Sequence, residues 1–252
     1  MTDTIEQADI VTAAMVVIGD EILSGRTKDK NIGYVADYLT ALGIDLKEVR
    51  IVPDEEDEIV AAVNAVRTRY TYVFTSGGIG PTHDDITADS IAKAFGVGID
   101  HDPRAMKILG DHYAARGIEF NQARMRMARI PDGADLIENA ASKAPGFCIG
   151  NVHVMAGVPA VLQAMMDSVA PTLKTGVKML SETVPARLGE GIIASPLGAI
   201  QAAHPATIIG SYPWHDAQGF GTNLVIRARS TAALTPAVEA VRAMVAGLTA
   251  AT

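Results

Sequence analysis

The chain is poor in cysteine and aromatic residues, and it has no long apolar run. It holds one cysteine, Cys148, and Phe, Trp and Tyr together make up 5% of its 252 residues. A single cysteine excludes an internal disulfide and a cysteine-based zinc site, and it is typical of a reducing compartment. No uninterrupted stretch of roughly 18 apolar residues, the length that crosses a bilayer, occurs in the sequence. A membrane-spanning protein is therefore not expected.

Positive charge is also scarce. Lys and Arg number 21 against 29 Asp and Glu, which gives a formal net charge of −8. Residues 1–175 carry 16 basic and 25 acidic side chains, whereas residues 176–252 carry 5 and 4. Binding to DNA requires a face of Lys and Arg that displaces counterions, so no DNA partner is expected. The N-terminus has neither the basic nor the apolar region of a signal peptide, which predicts a cytoplasmic protein.

The composition and the residue pattern indicate an α/β protein. Apolar residues make up 48% of the chain and charged residues 20%, as in ordinary globular domains. Short β-branched runs alternate with stretches of helical periodicity, the pattern of α/β folds. The predicted strands are Thr12–Ile18, Leu46–Val52, Thr71–Thr75 and Asp135–Ile137, and residues 146–156 predict a hairpin with its turn at Gly150 and Asn151. The predicted helices are Asn31–Leu42, one opening at Pro53 and Asp54, Thr87–Phe95, Asp102–Arg116, Gln122–Met127 and Val158–Val169.

The pattern changes near Lys174, which places a domain boundary within residues 172–182. We expect a large domain over residues 10–175 and a small β-α-β-β-α domain over residues 183–250. The elements predicted for the small domain are Thr183–Ile192, Leu197–Ala203, Ala206–Tyr212, Thr222–Ala228 and Pro236–Leu248.

A glycine-rich segment, Ser76–Thr87, separates a predicted strand from a predicted helix. Ligands of open α/β sheets bind at the carboxyl ends of the strands, and glycines there let backbone N–H groups approach an anion. A phosphate is the natural ligand. The segment is not a Walker A loop, because no Lys followed by Ser or Thr comes after its last glycine. It is not a dinucleotide fingerprint either, because His83 stands where the third glycine belongs. The alternative is that the glycines only turn the chain and that Asp84, Asp85 and Thr87 cap the helix.

A second loop, Gly19–Gly25, follows the first strand at the same edge of the sheet. Asp20 and Glu21 in this loop, together with Asp84 and Asp85, could form an acidic ring of hard oxygen ligands for Mg²⁺ or Mn²⁺. These carboxylates could equally be solvated turn residues.

These segments resemble a known family. Gly19–Gly25, Asn31, Ser76–Thr87, Ala144–Phe147 and Ala156–Pro159 are similar, in this order, to the molybdopterin-binding (MoaB/MogA-like) domain at the N-terminus of competence/damage-inducible CinA proteins. The resemblance covers about residues 12–175 and is most specific in the Gly-Gly-Ile-Gly-Pro-Thr-His-Asp-Asp run. The sequence departs from the family pattern at Ala156 and at Ser142-Lys143.

The resemblance implies a three-layer α/β/α fold with a nucleotide or pterin phosphate over the glycine loop. CinA-type domains are associated with metal-dependent hydrolysis of ADP-ribose, and the domain also recurs beside FAD synthetases. Residues 183–250 look like the small α+β domain that follows in CinA proteins, although they lack the Gly-x-x-Gly loop that would indicate RNA binding. The chain ends before the deamidase domain of CinA proteins, so that activity is not expected of it.

The function that follows is a metal-dependent pyrophosphatase acting on an ADP-ribose-type nucleotide diphosphate. The alternative is a non-catalytic protein that binds molybdopterin or a nucleotide and is linked to molybdenum cofactor biosynthesis. The expected cofactor is a divalent metal, Mg²⁺, Mn²⁺ or Co²⁺, held by Glu21, Asp84 and Asp85. The expected catalytic residues are Asp84, Asp85 and His83. The expected ligand-binding residues are Ser76, Gly77, Gly78, Gly80, Pro81, Thr82, Asn31 and Gly19.

We predict a homo-oligomer, most simply a two-fold dimer, in which the small domain contributes to the interface. This domain is near-neutral and rich in alanine, and Leu224, Ile226 and Ala228 alternate along one strand, which suits packing against a second copy or against the large domain. Light scattering on the full chain and on a chain ending at Thr175 tests this. A monomeric full chain, or an unchanged oligomeric state after truncation, would contradict it.

Overall fold

The computed structural model describes residues 10–217 and 219–250 and shows two compact units. One comprises Ile10–Gly176, and the other begins at Val177. In these two described stretches no helix is both long and apolar enough to cross a lipid bilayer.

The larger unit is built on a mixed six-stranded sheet in the order β2-β1-β3-β8-β7-β6. The first four of these strands are parallel, whereas β7 runs antiparallel to β8 and β6 runs antiparallel to β7. The strands are β1 Val11–Ile18, β2 Ile44–Val52, β3 Tyr72–Ser76, β4 Ile99–His101, β5 Arg129–Pro131, β6 Asp135–Ile137, β7 Gly146–Ile149 and β8 Val152–Met155. The helices are α1 Asp20–Leu23, α2 Asn31–Ala41, α3 Glu56–Arg67, α4 Thr87–Phe95, α5 Pro103–Ala115, α6 Gln122–Met125 and α7 Pro159–Val169.

Helices cover both faces of this sheet, which confirms the predicted three layers. Strand β1 shows why: Ala14, Val16 and Ile18 enter one core with residues of α3, α4 and α5. Residues Ala13, Met15 and Val17 alternate with them and enter a second core with residues of α2 and α7. Successive strand side chains point to opposite faces, so a strand that is apolar throughout must be buried on both.

The sequence predicted most elements of this unit. Helix α4, strand β6 and the hairpin turn at Gly150 and Asn151 lie where they were expected, and Gly150 adopts a φ of +57° in that turn. The single helical turn α1 and the short antiparallel pair β4 and β5 were not predicted. Each of these strands has three residues, too few to show an alternating pattern.

The smaller unit packs two helices against one face of a three-stranded antiparallel sheet in the order β10-β11-β9. Its elements are β9 Leu180–Ala186, α8 Glu190–Ala203, β10 Thr207–Asp216, β11 Gly219–Ala228 and α9 Thr231–Ala250, which is the predicted β-α-β-β-α order. Leu224, Ile226 and Ala228 are buried in its core. The oligomeric state stays a prediction.

Three predicted boundaries in this unit were wrong. The strand expected over Thr183–Ile192 ends at Ala186, and α8 begins at Glu190 rather than at Leu197. The β-branched residues Ile192 and Ile193 favoured a strand in the sequence pattern. In the structure Ile193 and Leu197 are four residues apart and both are buried, as on one face of a helix. Helix α9 was expected to begin at Pro236 but begins at Thr231, so the proline lies inside the helix.

His153 on β8 is a buried titratable group in the larger unit. The residue is 6% exposed, and its ring centroid lies 5.2 Å from that of Phe74 and 5.7 Å from that of Tyr72. Within the described residues its Nδ1 atom has no hydrogen-bond partner. Burial lowers the pKa of His153 below the ordinary value of 6.5.

We expect acidification to destabilise the larger unit through His153. Because the folded pKa lies below the unfolded one, this contribution to the free energy of unfolding is complete above pH 6.5 and is lost as the pH falls towards the folded pKa. His153→Met cannot titrate, so its melting temperature should fall less between about pH 7.5 and about pH 5.5, by at most about 3–5 °C, the effect of one pKa unit. Thermal unfolding followed by circular dichroism measures this. Equal falls in both proteins would contradict the prediction.

Candidate functional site

The candidate site lies where β1, β3 and β8 end. These strands are parallel neighbours, so the loops that follow them meet at one edge of the sheet. The strand order also reverses at β1, because β2 lies on one side of it and β3 on the other. Such a reversal opens the crevice in which open α/β sheets bind their ligands. The loops after β1 and β3 that the sequence singled out therefore lie together.

Gly77 brings the three strand ends into close contact. It has a φ of +112°, and a Cβ atom on it would lie 2.1 Å from the backbone oxygen of Ile18. Its backbone N–H donates to the oxygen of Met155 at 3.1 Å. A Cβ atom on Gly157, in the loop after β8, would lie 3.2 Å from the Cα atom of Gly77. Only glycine fits between these backbones.

Gly78 fixes the same loop against the start of α4. It has a φ of +66°, and a Cβ atom on it would lie 2.2 Å from Oγ1 of Thr87. The Thr87 hydroxyl donates to the Gly77 oxygen at 3.0 Å, and the Thr87 N–H donates to the Gly78 oxygen at 3.0 Å. Thr87 is fully buried, so it holds the loop and does not contact a ligand.

The loop leaves three backbone donors unused. Within residues 10–217 and 219–250, the N–H groups of Gly78, Ile79 and Gly80 donate to no protein acceptor. The N-cap residue of α4, Ile86, supplies no side-chain acceptor either. The expectation that Gly77 also offers its N–H to a phosphate was wrong, because Met155 accepts it. Three consecutive loop amides without an acceptor suit the binding of an anion.

The buried side chain of Asn31 supports the glycine loop that follows β3. It is 5% exposed, and its Nδ2 donates to Oγ of Ser76 at 2.8 Å and to the Gly157 oxygen at 2.7 Å. Both amide protons are therefore used within the protein. Ser76 is 2% exposed and lies under the loop as well. The structure places these two predicted ligand residues where they position the loop that follows β3.

A cavity of about 530 Å³ opens over the glycine loop. Gly78, Ile79 and Gly80 belong to its lining, as do Glu21 and Asp85. Much of the remaining lining, which we call the apolar side, consists of Ala144, Ala156, Gly157, Val158, Pro159 and Val161. Thr27, Asn139 and Ser142 are its further polar members.

The position of Glu21 in this lining depends on Gly19. A Cβ atom on Gly19 would lie 2.5 Å and 2.7 Å from the two carboxylate oxygens of Glu21. The Glu21 side chain therefore folds back over Gly19, and a side chain at position 19 would displace it. Gly19 serves the site by leaving this space rather than by presenting a group to the ligand.

Asp85 is held by its own loop. Its Oδ2 accepts hydrogen bonds from the Thr82 N–H at 2.8 Å and from the Thr82 hydroxyl at 2.6 Å. Asp84 is not part of the cavity lining. A hydrogen bond from the Thr82 side chain lowers the pKa of Asp84, so this exposed carboxyl is ionised at neutral pH.

Asp54 also belongs to this edge of the sheet, although its role was not predicted from the sequence. Its Oδ2 accepts a hydrogen bond from the Asp20 N–H at 2.9 Å. Burial, and after it the negative charges of Glu21, Asp20 and Asp84, raise the pKa of Asp54, although the Asp20 hydrogen bond opposes them. Its position directly after β2, the neighbour of β1, was the signal that could have identified it.

The predicted acidic ring is not a ready-made metal site. Among the described residues, no three His, Cys, Asp or Glu side chains lie together as metal ligands. Glu21 and Asp85 share the cavity, but Asp84 lies outside its lining. His83 is also separate, since it lines a second cavity with Pro81 and Thr82.

Asn139 is a further residue that the sequence did not reveal. It is 4% exposed, and its side chain bonds Ser142 and the Ala144 oxygen, which shapes residues 139–144 beside the 530 Å³ cavity. The backbone of Lys143 in this segment has a φ of +63°, the left-handed region that only glycine adopts without strain.

Family models match both units. The model described as "Probable molybdopterin binding domain" matches residues 14–175, and the model described as "FAD synthase, middle domain" matches residues 178–250. The larger unit thus has the α/β fold of molybdopterin-binding domains. The chain belongs to this molybdopterin-binding domain family.

Individual relatives agree with this assignment. A protein of Metallosphaera sedula is 35% identical over 164 residues, which cover 63% of this chain and 62% of that protein. A protein of Caldivirga maquilingensis is 34% identical over 193 residues, which cover 75% of this chain and 74% of that protein. The chain thus spans less than two thirds of the length of the Metallosphaera relative. The crystal structure of the protein CinA with unknown function from Thermoplasma acidophilum superposes with a TM-score of 0.60 at 30% identity, over 65% of this chain and 98% of that one.

The packing at Gly77 predicts a steep cost for its substitution. Gly77→Ala would place a methyl group against the Ile18 backbone oxygen and would strain the positive φ, so we expect a loss of about 1–3 kcal/mol of unfolding free energy. Gly33→Ala is the matched control, because Gly33 lies in α2 and a Cβ atom on it meets nothing within 4 Å. Urea unfolding compares the two variants. If Gly77→Ala is as stable as Gly33→Ala, the close packing is not what requires glycine.

Proposed function

We propose that the protein is a metal-dependent pyrophosphatase that hydrolyses an ADP-ribose-type nucleotide diphosphate. The observation that carries the proposal is the meeting of two kinds of group on one cavity. Three unused backbone N–H groups suit a phosphate, and two carboxylates, Glu21 and Asp85, suit a cation that accompanies it.

The phosphate-binding part rests on rigid donors. The N–H groups of Gly78, Ile79 and Gly80 are fixed by the contacts that Gly77 and Thr87 make, so they need no rearrangement to bind phosphate oxygens. Preorganised donors stabilise charge that develops in a transition state because no reorganisation energy is spent. The same donors stabilise a bound phosphate in the ground state.

The apolar side of the cavity suits a flat ring. Alanine, valine and proline side chains form this side, and pockets of a few hundred cubic ångströms enclose nucleoside-sized ligands. The family description favours a pterin or a nucleotide, and the second model names FAD synthase, whose product contains a diphosphate. These features agree on a ring attached to phosphate.

The carboxylates fit a divalent metal that shares its coordination with the substrate. Mg²⁺ is commonly held by one or two carboxylates plus phosphate oxygens, so Glu21 and Asp85 suffice without a third protein ligand. A bound Mg²⁺, Mn²⁺ or Co²⁺ would neutralise the diphosphate and lower the pKa of a coordinated water. Without a cation, these carboxylates and the charges of Asp54, Asp20 and Asp84 would repel an anionic ligand.

The chain's own groups then orient the reaction. In the hydrolysis, the oxygen of water bonds to one phosphorus atom and the bond from that phosphorus to the bridging oxygen breaks, which yields AMP and ribose 5-phosphate. Asp85 orients the water, and the loop amides hold the phosphate oxygens. Asp84 contributes its negative charge from outside the lining. We assign no proton transfer to His83, which lines the other cavity.

The second candidate is a protein that binds molybdopterin or a nucleotide without cleaving it. It is favoured by the two hydrogen bonds from Thr82 that already engage Asp85. In this role the glycine loop and the apolar lining would act in the same way, and the carboxylates would set ligand preference.

We expect the protein to release AMP from ADP-ribose in the presence of Mg²⁺, Mn²⁺ or Co²⁺ and to lose this activity in EDTA. Glu21→Gln and Asp85→Asn should each lower the rate by about 100-fold, since even groups outside a metal's inner shell are worth 10–100-fold. The amide oxygen of the Asp85→Asn variant could still accept the Thr82 hydrogen bonds, so the loop should keep its shape. Chromatography of the nucleotide products measures the rate.

The control is Glu58→Gln, which removes one negative charge from the exposed first turn of α3. It should leave the rate unchanged. No AMP release with any of the three metals, while ADP-ribose still binds, would refute the hydrolase. A thermal-shift series with a pterin, AMP, ADP-ribose and FAD would then identify the ligand of the second candidate.

A further inference from the structure

A further cavity, of about 240 Å³, lies at the segment that joins β6 to β7, and we call it the β6–β7 pocket. Its lining comprises Ile108 of α5, Leu136 of β6 and the segment residues Glu138, Ala140, Lys143 and Pro145. Asn139 also belongs to it and is the one lining residue that the pocket shares with the 530 Å³ cavity. The β6–β7 pocket is therefore distinct from the candidate site over the glycine loop.

The pocket is built on a turn that the protein itself fixes. The buried Asn139 side chain donates to Oγ of Ser142 at 2.6 Å and to the Ala144 oxygen at 2.8 Å. Its Oδ1 accepts hydrogen bonds from the N–H groups of Ala141 and Ser142 at 3.0 and 3.2 Å. The Lys143 N–H donates to the Asn139 backbone oxygen at 3.0 Å. Because these bonds hold the turn before any ligand binds, little ordering entropy is lost on binding.

The size of the pocket suits one apolar side chain. Ile108, Leu136 and Pro145 supply its apolar surface, and Ile108 is 38% exposed, so solvent reaches this surface. An apolar cavity of about 150 Å³ is large enough to bind benzene. A pocket of about 240 Å³ therefore has room for a phenyl ring with a short substituent.

One acidic and one basic side chain belong to the same lining. Glu138 and Lys143 are both exposed, and among the described residues neither side chain makes a hydrogen bond or an ion pair. Positive charge is in excess nearby. Burial, and after it the positive charges of Arg116 and Lys143, lower the pKa of His112, which lies one helical turn after Ile108 on α5. A carboxylate is therefore favoured here more strongly than an ammonium group.

We propose that the β6–β7 pocket binds a free apolar α-amino acid. Its side chain packs against Ile108 and Leu136, its carboxylate pairs with Lys143, and its ammonium group pairs with Glu138. A zwitterion matches a lining with one cation and one anion, whereas a ligand with a single charge would meet repulsion from one of them. This site does not involve the glycine loop, so the inference is independent of the proposed function.

Isothermal titration calorimetry on the full chain with four probes tests the proposal. L-Phenylalanine, 3-phenylpropanoate and phenethylamine share the phenyl ring and differ in charge, and glycine carries both charges without the ring. L-Phenylalanine should bind with a Kd of about 0.1–1 mM, as expected for a ligand of about twelve heavy atoms in a solvent-open pocket. 3-Phenylpropanoate should bind about fivefold more weakly, since it lacks one exposed ion pair. Phenethylamine should bind more weakly still, and glycine should give no measurable heat.

Two charge variants assign the ends of the ligand. Lys143→Gln should weaken L-phenylalanine about fivefold and leave phenethylamine within about twofold, because only the carboxylate contacts Lys143. Glu138→Gln should weaken L-phenylalanine and leave 3-phenylpropanoate within about twofold. Lys107→Gln is the matched control and should change no Kd, because Lys107 precedes Ile108 on α5 but lies outside the lining.

A filling variant and a competitor locate the bound probe. Ala140→Phe should occupy the pocket and weaken L-phenylalanine by at least about tenfold. If circular dichroism shows that this variant does not fold, the two charge variants decide. AMP, which the proposed function places over the glycine loop, should leave the Kd of L-phenylalanine within about twofold.

No binding of L-phenylalanine, equal Kd values for L-phenylalanine and 3-phenylpropanoate, or displacement of L-phenylalanine by AMP would overturn the proposal. An L-phenylalanine Kd that neither Lys143→Gln nor Glu138→Gln changes would overturn it as well. If L-phenylalanine binds as expected but the protein releases no AMP from ADP-ribose, only the hydrolase is refuted.

Discussion

The close approach of Gly77 to the backbone of Ile18 is the constraint on which the site depends. Three strand ends converge there without a side chain between them, and the Gly77 amide joins β3 to the end of β8 through the Met155 oxygen. This amide is used for the fold, whereas the next three N–H groups donate to no acceptor among the described residues. The same packing that completes the sheet therefore shapes the loop in which these three amides lie, and Asn31 holds the arrangement from the buried side.

The electrostatics of the site have two opposed parts. The loop amides, the start of α4 and Arg126 favour an anion, whereas Glu21, Asp85 and the carboxylates around Asp54 oppose it. The proposed divalent cation would resolve the opposition, because Glu21 and Asp85 would hold it and its charge would offset that of the anion. A neutral ligand would leave the amides unsatisfied, and a bare anion would meet uncompensated carboxylates.

The sequence could predict features that depend on residues close together along the chain, but not features that depend on residues far apart along it. The alternation of strands and helices, the hairpin turn and the loop after β3 follow from local periodicity and glycine spacing, whereas the three layers were implied by the family resemblance, and the structure has them all. The role of Asn31 does not, because its partners Ser76 and Gly157 lie 45 and 126 residues away. The Gly77 amide was misjudged for the same reason, since its acceptor, Met155, comes from another strand.

The departure from the family pattern at Ser142-Lys143 has a structural meaning. Lys143 occupies a left-handed conformation with a φ of +63°, which costs a residue with a side chain about 1 kcal/mol or more. Asn139 compensates, since its side chain bonds the backbone N–H groups of Ala141 and Ser142 and the oxygen of Ala144, so that the turn is fixed whatever residue follows. The Lys143 side chain thereby lies between Ser142 and Ala144, which line the 530 Å³ cavity, although Lys143 itself is not part of that lining. Asn139 therefore fixes this part of the cavity wall, as Thr87 fixes the glycine loop.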